Sequence, residues 1–335
     1  MKRWITLFAL VILVQVGLTV YTHWNATVPQ GIVTNGPLIT IKSAEIDGLL
    51  FEDDQGKKLH IQKVNGQWLL PDSLNFPADS IRVQALIEKI TQLNREWPEA
   101  STTEAASRFR VAADDYAHRL SLVVQGKTQQ VLYFGTSPGL RKLYLRLEGD
   151  SEIHSMKIAA HDLAVDPGDW IDTTVLHLKE KQLAEVKLPE VVLKKGKEGL
   201  LPVGLKEGEE VNTKKLGSLV NRLTGLSISA ILGTERKPEY GLDRPVLTYS
   251  VILQDGKTLT YSFAQKVQTA AEQEKTPPED NSYILEVSSL KQLVQVDGWQ
   301  VEVIKNAKRE ELVQMKAKAA DEQESVQPPS NTVPN

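Results

Sequence analysis

The chain has 335 residues, 39 basic against 43 acidic side chains for a formal charge of −4, 41% hydrophobic residues and no cysteine. That length suits about two domains of roughly 150 residues, each able to bury a core without covalent staples. The lack of cysteine excludes disulfides, thiolate zinc sites, iron–sulfur clusters, cysteine nucleophiles and an acylated cysteine anchor. The near-balanced charge argues against nucleic acid as the main partner, because duplex binding needs a clustered excess of Lys and Arg to displace counterions.

The first element is an apolar run. Residues 5–21, ITLFALVILVQVGLTVY, carry no charge, and with Trp4 and Trp24 the run approaches the ~20 residues that a helix needs to cross the hydrocarbon layer. Trp4 at one end and Tyr21 and Trp24 at the other stand where interfacial aromatics belong, and Lys2 and Arg3 precede the span. The pattern predicts a membrane anchor over residues 1–24. The amino end would be cytoplasmic and the bulk of the chain extracytoplasmic. A cleaved signal peptide shares the basic start and apolar middle, but Tyr21-Thr22-His23-Trp24-Asn25-Ala26 offers no small-x-small pair in good register. Amino-terminal sequencing separates the two readings.

Next come strands and turns. Gly48–Glu52, Lys58–Ile61 and Gln67–Leu70 read as β-strands joined by turns at Asp53–Gly56 and Asn65-Gly66. Then Val83, Leu86, Ile87, Ile90 and Leu93 recur at the spacing of one face of an amphipathic helix, with Pro77-Ala78-Asp79-Ser80 as the start signal. Leu120–Val124 and Val131–Phe134 form a hairpin about Gln125–Thr128, Leu143–Leu147 adds a strand, and a polar segment with Asp169-Trp170 follows.

The same order then recurs. Ala184–Leu188 and Val191–Lys194 are short strands interrupted by Pro189. Leu216, Leu219, Val220, Leu223 and Leu226 repeat the helix spacing behind Asn212-Thr213, and Tyr249–Leu253 with Leu259–Phe263 form a hairpin about Asp255–Thr258. Tyr283–Val287 and Gly298-Trp299 complete the copy, with polar Lys266–Asn281 as an exposed insertion loop. An α+β fold is therefore expected: a transmembrane helix, then two related modules at 38–178 and 179–305, each an antiparallel sheet with an amphipathic helix. Residues 306–335 are expected to be a charged helix with a disordered tail.

These residues resemble a known family. Gly66-Gln67-Trp68-Leu69-Leu70, Asn75-Phe76-Pro77-Ala78-Asp79 and the helix after them are similar to the pattern of the bacterial domain of unknown function 4340 (DUF4340). Glu239-Tyr240-Gly241-Leu242-Asp243-Arg244-Pro245 resembles its aromatic-Gly-Leu-Asp turn. Phe109–Asp114 is a degenerate form lacking Gly and Pro, and Pro167–Asp172 resembles its Trp-containing closing segment. The resemblance implies membrane-anchored envelope proteins of the bacterial inner (cytoplasmic) membrane, often encoded beside ABC-transporter components of the gliding-motility type. It supplies no catalytic residues.

No catalytic constellation emerges from the residues. His23, His60, His118, His154, His161 and His177 include no pair at zinc-helix spacing, and HExxH is absent. His161 with Asp162, Asp166, Asp169 and Asp172 is the densest His/carboxylate cluster. It lacks the order of an EF-hand loop, so a capped loop is the simpler reading beside a calcium site. Neither Gly-x-Ser-x-Gly nor the β-lactamase set appears. Gly196–Gly199 and Gly204–Gly208 lack a P-loop ending, and Lys194-Lys195-Gly196-Lys197 reads as a solvated hairpin. Trp68, Trp97, Trp170 and Trp299 could stack on sugars, though packing is the commoner use. No catalytic, cofactor or metal residue is assigned.

The leading expectation is a non-enzymatic, anchored interaction protein working with an ABC-type transport or motility complex. An anchored cell-wall hydrolase or carbohydrate-binding protein, and a solute-binding protein with its site between the modules, remain as alternatives.

Overall fold

The computed structural model describes Gln15, residues 36–197, 199–265 and 282–316. The predicted span over residues 5–21 lies, apart from Gln15, outside them, as does the insertion at 266–281. Among the described residues no helix is long and apolar enough to cross a membrane.

Eight strands come first: β1 (Gly48–Asp53), β2 (Lys58–Val64), β3 (Gln67–Leu70), β4 (Phe76–Pro77), β5 (His118–Val124), β6 (Lys127–Phe134), β7 (Leu143–Leu147) and β8 (Ile153–Met156). They form one sheet in the order β4-β3-β2-β1-β5-β6-β7-β8. Two of its hairpins close on adjacent residues of positive φ, Asn65 (50°) with Gly66 (84°) and Gln125 (50°) with Gly126 (72°). Such turns match the twist of the strands they join, so the Asn-Gly and Gln-Gly pairs set the register. In β2 the burial alternates, with Leu59 and Ile61 inside, as a half-buried strand requires.

Between β4 and β5 lie α1 (Ser80–Thr91) and α2 (Thr103–Arg108). The α1 helix buries Val83, Leu86, Ile87 and Ile90, the face that the spacing predicted. Each such side chain is worth about 1.5–3 kcal/mol when removed from water. Helix α2 is capped by Thr102, whose hydroxyl accepts from the Ala105 amide at 3.2 Å. Four-residue β8 and six-residue α2 have no counterpart in the sequence reading, being too short to show a period.

The remaining strands are β9 (Leu183–Lys187), β10 (Val192–Gly196), β11 (Gly199–Pro202), β12 (Glu209–Val211), β13 (Ala230–Gly233), β14 (Leu247–Leu253), β15 (Thr258–Gln265), β16 (Tyr283–Val287), β17 (Leu293–Val296) and β18 (Val313–Met315). The second sheet runs β11-β10-β9-β14-β15-β16-β17-β13, and β12 pairs with β18 alone. Here α3 (Thr213–Thr224) precedes the central hairpin, and α4 (Gly298–Lys305) and α5 (Arg309–Leu312) follow it. Helix α3 buries Leu216, Leu219, Val220 and Leu223, and Asn212 caps it by accepting from the Lys215 amide at 3.1 Å. Both long helices end alike: Thr91 donates to the Ile87 carbonyl at 2.9 Å, and Thr224 to the Val220 carbonyl at 2.8 Å.

The fold is thus dominated by antiparallel β-sheet with a few helices. Where a charged helix was expected after residue 305, the described part is four-residue α5 followed by β18. Leu312 is buried and Val313 pairs with Val211, so apolar side chains at that point capture the chain as a strand. The chain divides into two compact units. One takes the described residues through Trp68 together with Ser80–Asp166, and the other takes Leu69–Asp79 and the residues from Pro167 onward.

Candidate functional site

The first unit contains an open cavity of about 400 Å3, within the range of small-ligand pockets. Its polar rim includes Ser101, Thr103, Asp114, Arg146, Asp150 and Ser151, and Ala106 and Ala112 supply apolar wall. These side chains come from the start of α2, from the turn after it, and from β7 with the β7–β8 connection. Local structure brings them together: Ile153 on β8 exchanges backbone hydrogen bonds with Glu99 and Ala100, which draws the approach to α2 alongside that connection. Beneath, Ala105, Ala106, Val111 and Ala112 pack with Val131, Tyr133 and Ile153.

Arg146 is the fixed cation of this cavity. It faces Tyr133 across the β6–β7 ladder. Its Nε donates to the Val111 carbonyl at 2.7 Å, and its Nη1 to those of Asp150 at 3.0 Å and Leu147 at 3.4 Å. The guanidinium carbon lies 5.0 Å from the Tyr133 ring centroid, a cation–π distance. Tyr133 in turn donates to Glu148 at 2.9 Å. Burial first, and that carboxylate second, push its hydroxyl pKa up. Carbonyls and a ring hold Arg146 in place without neutralising it, and among the described residues it forms no ion pair. Asp150, by contrast, is committed. Burial alone would raise its pKa, but the Glu152 amide and the Arg95 guanidinium, 2.9 Å away, outweigh this and hold it below the usual carboxylate range.

A second charged group surrounds Arg110. Its Nη2 meets Asp54 at 2.9 Å and its Nε meets Asp115 at 3.3 Å, which lowers the pKa of Asp54. Burial depresses the pKa of nearby His118, against the opposing pull of Asp53 and Asp54. The group is an ion-pair cluster at a turn.

The residues singled out in the sequence are dispersed. Asp162 accepts from Lys89 at 2.5 Å and from the Ala159 amide at 2.9 Å, Asp166 pairs with Lys57 at 3.1 Å, and Asp172 accepts from the Thr174 amide at 2.8 Å. Lysine pairs and turn caps therefore take up these carboxylates. Among the described residues no three His, Asp or Glu side chains stand together as a metal would need. His177 meets Ser227 at 3.1 Å, and His154 is buried. Lys194 and Lys195 lie on β10 of the β10–β11 hairpin, and Lys197 in its turn. Trp68 and Trp170 are buried, whereas Trp97 and Trp299 are 66% and 63% exposed. Arg222 lies over the Trp299 ring, 4.2 Å from its centroid.

Two segments that carried the family resemblance meet in the second unit. Ala78 bridges Ile171, the Asp79 amide donates to the Trp170 carbonyl at 2.7 Å, and the Asp172 amide donates to that of Pro77 at 2.9 Å. Phe76 and Trp170 are both fully buried, so Phe-Pro-Ala-Asp and Asp-Trp-Ile-Asp build a backbone clasp. Tyr240 and Leu242 of the third segment pack with Ala264, Ile284 and Leu293. The cavity at Arg146 was not legible beforehand, because its rim comes from three stretches that sequence spacing does not connect.

No curated protein matches this sequence, and no solved structure matches this chain. A family model described as a domain of unknown function, DUF4340, matches residues 68–245, from the buried Trp68 to the end of the Tyr240–Pro245 turn. That match covers more than half of the chain, and the protein therefore belongs to the DUF4340 family.

Proposed function

We propose that this chain is a non-enzymatic, membrane-anchored extracytoplasmic interaction protein built from two related α+β modules. It would act as an accessory component of an ABC-type transport or gliding-motility-like envelope complex. The observation that carries the duplication is the shared strand order. A three-strand meander (β3-β2-β1, β11-β10-β9) continues into a four-strand one (β5 to β8, β14 to β17), with an amphipathic helix between the two in sequence. A duplicated scaffold keeps its core while its loops and rims diverge, so each copy presents its own surface. Exposed Trp97 and Trp299 are aromatic side chains of the kind that anchor protein contacts.

The anchor over residues 1–24 is the sequence's contribution, and the transporter association is the family resemblance's. Confinement to a membrane raises the effective concentration of two partners without high intrinsic affinity. The test is crosslinking of membranes, followed by purification of the full chain in mild detergent and identification of what comes with it. Transporter subunits should co-purify in stoichiometric amounts. Recovery of the chain alone under every crosslinking condition overturns the proposal.

A further inference from the structure

The two sheets can be superposed by register. Phe134 faces Leu145 in the first and Phe263 faces Leu285 in the second, which sets Arg146 opposite Tyr133 at the place where Glu286 stands opposite Ser262. The same point in the fold therefore carries a cation in one unit and an anion in the other. In the second unit the charge is neutralised: Arg236 grips Glu286 with both Nε, at 2.9 Å, and Nη2. In the first it is not. Arg146 is set on the carbonyls of Val111, Leu147 and Asp150 and has no carboxylate partner among the described residues.

Three features then coincide around that cation. The cavity of about 400 Å3 opens there. The rim carries hydroxyls from Ser101, Thr103 and Ser151, which can accept or donate. Asp114, also on the rim, is exposed and forms no hydrogen bond or ion pair among the described residues. A guanidinium whose position is fixed before binding loses little freedom when a planar anion docks, and it favours carboxylate geometry over a point charge. Asp114 supplies the opposite requirement, since an ionised carboxylate can only accept hydrogen bonds.

We propose that this cavity binds a small organic carboxylate whose other groups donate hydrogen bonds, the chemistry shared by a free amino acid and a sugar acid. The carboxylate is taken by Arg146 and the neighbouring hydroxyls, and the ammonium or hydroxyl donors are taken by Asp114. This site stands apart from the interaction role above, and either can fail without the other.

Calorimetric titration of the full chain in detergent, with L-alanine, L-glutamate, D-glucuronate and neutral D-glucose as probes, tests it. At least one carboxylate should bind saturably below about 20 mM while glucose does not, an affinity at the weak end for small ligands. R146K keeps the charge but loses the planar fork and should weaken binding about tenfold. D114N should weaken an amino acid strongly and a sugar acid less, which tells the two sources apart. Because Arg146 also ties three carbonyls together, R146Q is used only if its circular dichroism matches that of the parent. D114N, on an exposed side chain, keeps the test open otherwise. The proposal is overturned if no carboxylate binds, if glucose binds equally well, or if R146K and D114N both retain the full affinity.

Discussion

Two turns at equivalent places in the two sheets reach the same backbone by different chemistry. In the second unit Tyr240-Gly241-Leu242 places a glycine at φ 66°, and in the first Phe109-Arg110-Val111 places an arginine at φ 56°. The flanking side chains do the same work in both, Tyr240 and Leu242 in one cluster and Phe109 and Val111 in the other. A left-handed conformation costs an L-residue about 1–2 kcal/mol, a cost that glycine avoids. Arg110 offsets it with Asp54, Asp115 and the Tyr116 carbonyl at 3.3 Å. Those ion pairs are more than a third exposed and worth about 0–1 kcal/mol each. What holds the first turn is therefore largely the burial of its neighbours. The missing glycine marks a position that packing forces into shape.

The sharpest way to break the comparison is at the strand beneath. Gly135 stands where the second unit has buried Ala264: its amide donates to the Tyr144 carbonyl, and Ala264 faces Ile284 in the matching ladder. A Cβ on Gly135 would lie 1.9 Å from the Phe109 carbonyl oxygen and 2.6 Å from that of Arg110, both backbone atoms that cannot rotate away. Gly135→Ala should thus displace the turn, at a loss of about 3 kcal/mol or more by denaturant unfolding, at the upper end for overpacking. The reciprocal change Ala264→Gly removes one methyl from a buried strand and should cost about 1–2 kcal/mol. Equal effects would mean that the two turns do not rest on their strands differently.

A smaller effect is expected at the turns themselves. Gly241→Ala introduces the left-handed cost without any compensating pair and should lower stability by about 1–2 kcal/mol. Arg110→Gly removes that cost and removes the ion pairs with it, so the two changes should nearly cancel, leaving a net shift within about 1 kcal/mol. The residual should also depend on salt, turning more favourable to glycine as screening weakens the pairs. A loss from Arg110→Gly as large as that from Gly241→Ala would show that the ion-pair cluster, and not the packing, holds the turn.

How much of this was readable follows from what each element depends on. The faces of α1 and α3 were legible because burial at Val83, Leu86, Ile87 and Ile90, and at their four counterparts, repeats with the helical period. The hairpins were legible because Asn65-Gly66 and Gln125-Gly126 announce their turns locally. Arg110 was not, since nothing in the residue type announces a positive φ that neighbours impose. Asp169-Trp170 and Gly298-Trp299 look alike in sequence, yet Trp170 is buried in the clasp with Phe76 and Trp299 is exposed beneath Arg222. That difference is set by partners far along the chain. The Arg146 cavity and the β12–β18 pair share this property: each is made by segments whose meeting is a tertiary event.

The strand before each long helix offers the mildest test. In β4, Phe76 and Pro77 pair with β3 and carry no titrating side chain, whereas β12 pairs with β18 and begins at Glu209. Arg309 meets that carboxylate at 2.6 and 3.2 Å, and the Lys206 amide donates to it at 2.7 Å. Arg309 first and the amide second hold its pKa down at about 2, from an ordinary 4.5. A folded-state value below the unfolded one means that the carboxylate stabilises the β12–β18 pair above about pH 4.5, and that this contribution fades as the pH falls toward about 2. Hydrogen exchange at the Val211 and Val313 amides should accordingly speed up across that window, over and above the intrinsic pH dependence. Glu209→Gln should exchange faster at neutral pH and show no such extra step. If wild type and variant differ as much at about pH 3 as at about pH 7, the pair does not set the stability of this strand, and the apolar Val211–Val313 contact does so alone.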